Sequence, residues 1–189
     1  MRITDDRYSR DRRRFDLAYR MIHHEARTKT IRIWTGLSDD RIRKLYRTYV
    51  ATQGATIRRH RGKSPTQVAY FLKNLETRRH AAALAGLYSL LGLMPGAGDE
   101  TPADGNRGTL GWGELFCHTY ETYLALHQPQ RISFEHASYL LHVLTRRAEL
   151  RPDPCPACQG LMVVDTLRRH GGLCSWCESE AREQQAEPG

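Results

Sequence analysis

The chain has 189 residues, of which 40% are hydrophobic and 26% charged, with a net charge of +8 at neutral pH. That length suits one domain of ordinary size, or a domain with a small appendage. The longest apolar run, 81–94, is shorter than the ~18 residues of a membrane-spanning helix, so we expect no membrane partner. The first residues are charged and lack the apolar stretch of a secretory leader, so we expect a cytoplasmic protein.

The basic residues are concentrated in the first third of the chain. Residues 1–63 contain 18 Lys and Arg against 7 Asp and Glu, a net charge of +11, whereas 64–189 carry a net charge of −3. An excess that is segregated in this way indicates a phosphate-binding surface, as in nucleic-acid-binding proteins. A solvated charged face without a ligand is the alternative interpretation.

A first amphipathic helix is predicted over about 12–27. Its apolar residues Phe15, Ala18, Tyr19 and Ile22 recur at i, i+3, i+4 and i+7, which places them on one helical face.

The next segment, 28–50, has the pattern of a helix-turn-helix. A short helix is followed by Gly36, which permits a turn with positive φ, and Ser38 can cap a second helix. In a DNA-binding helix-turn-helix the second helix enters the major groove. Its outward face would carry two aspartates in the first turn and four candidate DNA-contacting residues, Arg41, Arg43, Lys44 and Arg47. An ordinary helical hairpin with a solvated cationic face is the alternative.

The following polar loop, 51–64, adds three candidate phosphate contacts, Arg58, Arg59 and Arg61. Such contacts position a protein on DNA without reading its sequence. A solvated loop without a ligand is the competing interpretation.

The rest of the chain is predicted to be mainly helical. Pro65 suits the first turn of a helix, and 81–94 has the apolar composition of a buried helix. The Gly- and Pro-rich stretch 95–111 predicts a flexible loop. Two further helices are expected from about Trp112 and Ser133, with the aromatic residues of the first in the core rather than in a base-stacking platform.

Four cysteines near the end of the chain form two C-x-x-C pairs, Cys155 with Cys158 and Cys174 with Cys177. Their separation lies in the range of structural zinc sites. Four thiolates complete a tetrahedron around Zn²⁺ and leave no position for a substrate. We therefore predict one structural Zn²⁺ per chain, in a module that also contains a short strand at 161–164.

Other interpretations of the cysteines are weaker. Two disulfides are disfavoured by the expected compartment, and a redox C-x-x-C needs no second pair. Cys155 and Cys158 with His23 and Glu25 match the two halves of the zinc deaminase signature, but this leaves the second cysteine pair without a role. We find no nucleotide-binding or hydrolase motif, so we expect neither an enzyme nor a small-molecule substrate.

These elements predict a mainly α fold. A helical domain over 1–150 contains the helix-turn-helix-like segment, a small four-cysteine zinc module covers 151–178, and the polar tail 179–189 is expected to be disordered.

The chain resembles the FlhC family of bacterial flagellar transcriptional activator subunits over most of its length. The resemblance rests on Leu37-Ser38 followed by Arg41, on Lys44-Leu45-Tyr46, on the helix around Phe71, on 120–124, and on the four cysteines, which align with the zinc ligands of that family.

The resemblance implies a DNA-binding activator that acts in a hetero-oligomer with a smaller FlhD-like partner. Such a complex binds promoter DNA and recruits RNA polymerase, and its targets are typically flagellar operons. A related activator of conjugative-transfer genes is one alternative. A zinc-ribbon adaptor whose basic third binds an acidic protein is another.

Overall fold

The computed structural model describes residues 2–53, 60, 62–94, 109–167 and 172–186. Within these residues the chain is mainly helical, with seven α-helices and one two-stranded antiparallel sheet. In chain order the elements are α1 (Arg2–His23), α2 (Thr28–Thr35), α3 (Asp39–Gln53), a 3₁₀ helix (Val68–Leu72), α4 (Leu75–Leu90), α5 (Leu110–Leu126), α6 (Phe134–Arg146), β1 (Leu150–Pro154), β2 (Leu161–Asp165) and α7 (Ser175–Ala186).

Two compact units make up the chain. The first comprises Met1–Ser64 with Asp104–His118, and the second comprises Pro65–Ala103 with Thr119–Gly189. Helix α5 contributes residues to both units. The units therefore divide the chain differently from the predicted boundary at residue 150, because the cysteine-bearing segment belongs to the same unit as α4 and α6.

In the first unit, α1, α2 and α3 pack against one another. Ile22, Ile31 and Ile42 are fully buried, one from each helix. Trp34 stacks on Phe116 of α5 with ring centroids 5.7 Å apart, and the Tyr46 hydroxyl donates a hydrogen bond to the Ala26 carbonyl. The apolar face of each helix thus packs into a common core, which leaves the polar faces of α2 and α3 in solvent.

The turn between α2 and α3 follows from one glycine. Gly36 adopts a left-handed conformation with φ of 68° and donates its N–H to the Arg32 carbonyl at 2.9 Å, which ends α2. The Ser38 hydroxyl accepts from the Arg41 N–H at 3.5 Å, a long contact at the start of α3. The predicted positive φ at Gly36 is therefore confirmed.

A second glycine, Gly113 in α5, allows side chains of α1 and α2 to pack closely against α5. A Cβ atom at this position would lie 2.7 Å from Leu17 Cδ2 and 3.3 Å from Trp34 Cβ, in a buried environment. We expect Gly113→Ala to lower the free energy of unfolding by about 1–3 kcal/mol through overpacking, as measured by denaturant titration. Gly111→Ala is the matched control on the same helix, because no described atom lies within 4 Å of its Cβ position. Gly111 is exposed in the first turn of α5, so this control should change stability by no more than about 0.5 kcal/mol, and equal effects of the two substitutions would contradict the packing account.

The second unit is built around α4 and α6, which pack on each other. Leu84 and Leu140 are fully buried, and the buried Tyr88 hydroxyl donates to the Ala137 carbonyl at 2.8 Å. Asn74 caps α4 by accepting from the Thr77 N–H at 2.8 Å. Side-chain caps of this kind satisfy backbone donors that the first turn of a helix leaves free.

A hydrogen-bonded network surrounds Tyr123 in this unit. Its hydroxyl accepts from the backbone N–H groups of Arg131 and Ile132 at 3.4 and 3.3 Å. The same oxygen lies 2.7 Å from His80 Nδ1. Burial, and then the neighbouring His127, lower the pKa of His80.

The two strands form a hairpin with Leu150 opposite Asp165 and Pro154 opposite Leu161. Strand β2 packs against α4, and β1 packs against α6. The strand predicted at 161–164 is confirmed as part of β2, whereas β1 was not predicted.

Three expectations about element boundaries differ from the structure. The helix expected from Pro65 is absent, since the backbone there is extended and only a 3₁₀ turn precedes α4. Helix α1 begins ten residues earlier than predicted, at Arg2. The tail expected to be disordered from residue 179 instead continues α7 up to Ala186.

The aromatic residues Trp112, Tyr120 and Tyr123 are buried, which confirms their expected place in the core. Residues 95–108 of the predicted flexible loop, 95–111, lie outside the described residues. None of the helices in the described ranges is both long and apolar enough to cross a membrane.

Candidate metal centre and basic helix face

The structure brings the four predicted cysteines together. Cys155 follows β1, Cys158 lies in the turn to β2, Cys174 immediately precedes α7, and Cys177 lies in its first turn. Their four sulfur atoms all lie within 4.8 Å of one another, which makes them the one group of potential metal-binding side chains found among the described residues.

The sulfur spacing suits an ion at the centre of the group. The Sγ atoms of Cys158 and Cys174 are 3.7 Å apart, and all four cysteines are free thiols. A disulfide would require about 2.0 Å, whereas a tetrahedral ion with metal–sulfur bonds of about 2.3 Å places its ligands about 3.8 Å apart. The four cysteines can therefore hold a metal ion.

A tight turn between β1 and β2 presents the first cysteine pair. Cys155 donates its N–H to the Gly160 carbonyl, and Gln159 donates to the Cys155 carbonyl, both at 2.9 Å. Gln159 takes a positive φ of 61° to close the turn. This geometry points the Gly160 N–H at Cys158 Sγ, at 3.4 Å.

Backbone N–H groups favour the thiolate form of Cys155. Burial by itself would raise the pKa of this thiol, but hydrogen bonds from the backbone of Cys158, Cys174 and Ala157 outweigh burial and lower the pKa to about 6. The Cys174 N–H lies 3.3 Å from Cys155 Sγ. Hydrogen bonds with the thiols of Cys158 and Cys174 favour the protonated form of Cys177 and raise its pKa to about 12.

A groove of about 430 Å³ adjoins the cysteines within the second unit. Its lining includes Arg79 and His80 of α4, together with Cys158, Cys174 and Trp176 of the cysteine-bearing segment. Two arginines of α4, Arg78 and Arg79, both among its lining residues, contact the loop that carries Cys174.

The predicted basic face of α3 lies in solvent. Arg41, Arg43, Lys44 and Arg47 are all exposed, opposite the buried residues Ile42, Leu45 and Tyr46. The alternation follows from helical geometry, since residues three and four apart share a face.

These four cations differ in their partners. Arg43 forms an ion pair with Asp40 at 2.9 Å, and Asp39 pairs with Arg32 of α2 at 3.7 Å. Arg41, Lys44 and Arg47 form no ion pair with any residue in the described ranges. The uncompensated positive charge of α3 therefore comes from these three side chains.

Arg58, Arg59 and Arg61 of the predicted phosphate-binding loop lie outside the described residues. Two described neighbours contact other residues of the first unit: His60 Nε2 lies 2.7 Å from a Glu25 carboxylate oxygen, and Arg27 donates to the Gly62 carbonyl at 2.6 Å.

Sequence reasoning did not identify Arg78 and Arg79 as site residues. Arginines in the first turns of a helix are ordinary surface residues by pattern, and their partners lie about a hundred residues further along the chain.

A scan of protein-family models finds none that matches the chain, and a search of curated proteins finds no matching sequence.

Proposed function

We propose that the protein is a DNA-binding subunit of a bacterial transcription activator, similar to FlhC, with a structural Zn²⁺ bound by Cys155, Cys158, Cys174 and Cys177. The observation that carries the proposal is the exposed face of α3, on which Arg41, Lys44 and Arg47 lack carboxylate partners in the described part of the chain. Uncompensated cations on one helical face attract the phosphates of a duplex.

The arrangement of the first unit supports a helix-turn-helix mode of binding. A short helix, a glycine turn and a longer exposed helix follow one another, and α1 packs on both helices. In this mode α3 is the recognition helix in the major groove. Arginine can contact guanine through two hydrogen bonds, whereas Lys44 suits a phosphate.

Zn²⁺ is the ion that best fits the four cysteines. Thiolate ligands in a tetrahedral set are typical of structural zinc, and the sulfur spacing described above agrees with zinc–sulfur bond lengths. A closed set of four protein ligands leaves the ion no open position for a substrate, so its role is to stabilise the fold.

The partners and target genes follow from the resemblance to FlhC proteins. We propose a hetero-oligomer with an FlhD-like subunit that binds promoter DNA and recruits RNA polymerase to flagellar operons. Conjugative-transfer genes are the alternative set of targets.

The experiment that tests this function is a salt titration of DNA binding. The chain is co-expressed with an FlhD-like subunit, and the affinity for fluorescent duplex DNA is measured by anisotropy at increasing salt. If three or more phosphates are contacted, log K should fall with log[salt] at a slope of about −2.7 or steeper, since each contact contributes about 0.9. A salt-insensitive complex would contradict the proposal. Displacement of the DNA by an acidic protein at equal concentration would instead favour the adaptor function.

A further inference from the structure

Two arginines of α4 contact the loop that carries the second cysteine pair. Arg78 Nη2 donates to the Leu173 carbonyl at 2.8 Å, and its Nη1 donates to the Glu178 carboxylate at 2.5 Å. Leu173 directly precedes Cys174, and Glu178 directly follows Cys177. One guanidinium group therefore bridges the residues on either side of the C-x-x-C pair.

Arg79 makes a second set of contacts with the same segment. Its Nη2 atom donates to the Ser179 hydroxyl at 2.6 Å and to the Ser175 carbonyl at 3.3 Å. The guanidinium lies 4.3 Å from the centre of the ring of Trp176. Trp176 stands between Cys174 and Cys177 in the sequence. This cation–π contact and the hydrogen bonds hold the first turn of α7 against α4.

The charges of the two arginines differ in how they are compensated. Glu178 accepts from Arg78 and also from Arg182, at 2.6 Å. Arg79 has no carboxylate partner among the residues that the structure describes. Zn²⁺ with four thiolates carries a net charge of about −2, and a nearby guanidinium without a carboxylate partner favours that charge.

We propose that Arg78 and Arg79 are positioning residues for the metal centre, and that they set how tightly the second cysteine pair holds its ion. The inference rests on the proposed zinc site. Arg78 orders the backbone around Cys174 and Cys177 before the metal binds, and Arg79 adds positive charge at the segment that carries these two thiolates. Groups that orient metal ligands without touching the ion typically change metal affinity 10–100-fold when they are removed.

The test compares Arg78→Met and Arg79→Met with Arg182→Met. The control removes an arginine that pairs with the same carboxylate, Glu178, but forms no other hydrogen bond or ion pair with the cysteine-bearing loop among the described residues. Each full-length protein is loaded with Zn²⁺, and release to the chelator 4-(2-pyridylazo)resorcinol is followed by absorbance. We expect the two α4 variants to bind Zn²⁺ roughly 10–100-fold more weakly and the control to match the wild type. Co²⁺-substituted protein should show altered d–d absorption bands only in the α4 variants.

Conservative substitutions separate this role from a general loss of stability. Arg78→Lys keeps the charge but has one ammonium group in place of two hydrogen-bonding arms, so its zinc affinity should lie between those of wild type and Arg78→Met. The same variant serves if Arg78→Met does not fold. Wild-type zinc affinity in Arg78→Lys and Arg79→Met would overturn the inference. A wild-type protein that binds no metal would instead contradict the proposed zinc site, and neither outcome depends on DNA binding.

Discussion

Cys174→Ser is expected to leave the protein without its metal ion and to lower the free energy of unfolding of the second unit by several kcal/mol. A hydroxyl is a much weaker zinc ligand than a thiolate, and three ligands hold the ion poorly. Metal binding and folding are coupled in small zinc modules, where structural Zn²⁺ contributes about 10–16 kcal/mol of apparent binding free energy. The metal content is measured by elemental analysis of protein purified under reducing conditions, and stability by denaturant unfolding.

Cys117→Ala is the control for this experiment. Cys117 is the fifth cysteine, is fully buried in the first unit and is not part of the sulfur cluster. The control variant should retain about one zinc ion per chain, because the substitution removes a sulfur that does not belong to the cluster. A Cys174→Ser protein that keeps a full complement of zinc and unfolds at the wild-type denaturant concentration would refute the metal assignment.

Replacing Arg41, Lys44 and Arg47 together with alanine is expected to abolish most DNA binding while it leaves the fold intact. All three side chains are exposed and form no ion pair within the described residues, so their removal costs little stability. If each contacts one phosphate, the magnitude of the salt slope should fall by about 2.7, and Arg47→Ala alone should lower it by about 0.9. The slope is measured by anisotropy, and the thermal midpoint by circular dichroism.

Arg182→Ala, in the second unit, is the comparison variant, because it removes another exposed arginine that lies outside the basic third of the chain. It should bind DNA with the wild-type slope. A loss of thermal stability in the triple variant as large as its loss of affinity would show that α3 is a structural helix and not a binding face.

Local signals predicted most of the first unit. The periodicity of Ile42, Leu45 and Tyr46 places the basic residues of α3 in solvent, and a glycine at position 36 is enough to end α2. These features depend on residues within one or two helical turns, so the sequence pattern contains them.

Features that depend on distant partners were missed. Strand β1 contains two prolines and has little intrinsic strand propensity; it forms because it pairs with β2 and packs on α6. Helix α7 has the composition of a disordered tail, but Arg79 of α4 holds its first turn. The start of α4 was not predicted for a different reason. Asn74 is a local capping signal, but the helix start was assigned to Pro65 instead.

The spacing of the cysteines predicted the metal centre, because two C-x-x-C pairs constrain four ligands through short loops. The arginine contacts with that centre span 95–100 residues of sequence. A local sequence pattern cannot predict contacts between residues so far apart. These contacts form because α7 packs on α4 in the folded chain.

The network around Tyr123 favours one tautomer of His80. The Tyr123 hydroxyl accepts two backbone hydrogen bonds, so its single proton is directed to His80 Nδ1. An Nδ1 that accepts a hydrogen bond leaves the neutral imidazole protonated at Nε2. In its neutral form this side chain, which lines the groove beside the cysteines, therefore carries its N–H donor on Nε2, whereas a histidine that binds a metal ion through Nε2 carries its proton on Nδ1.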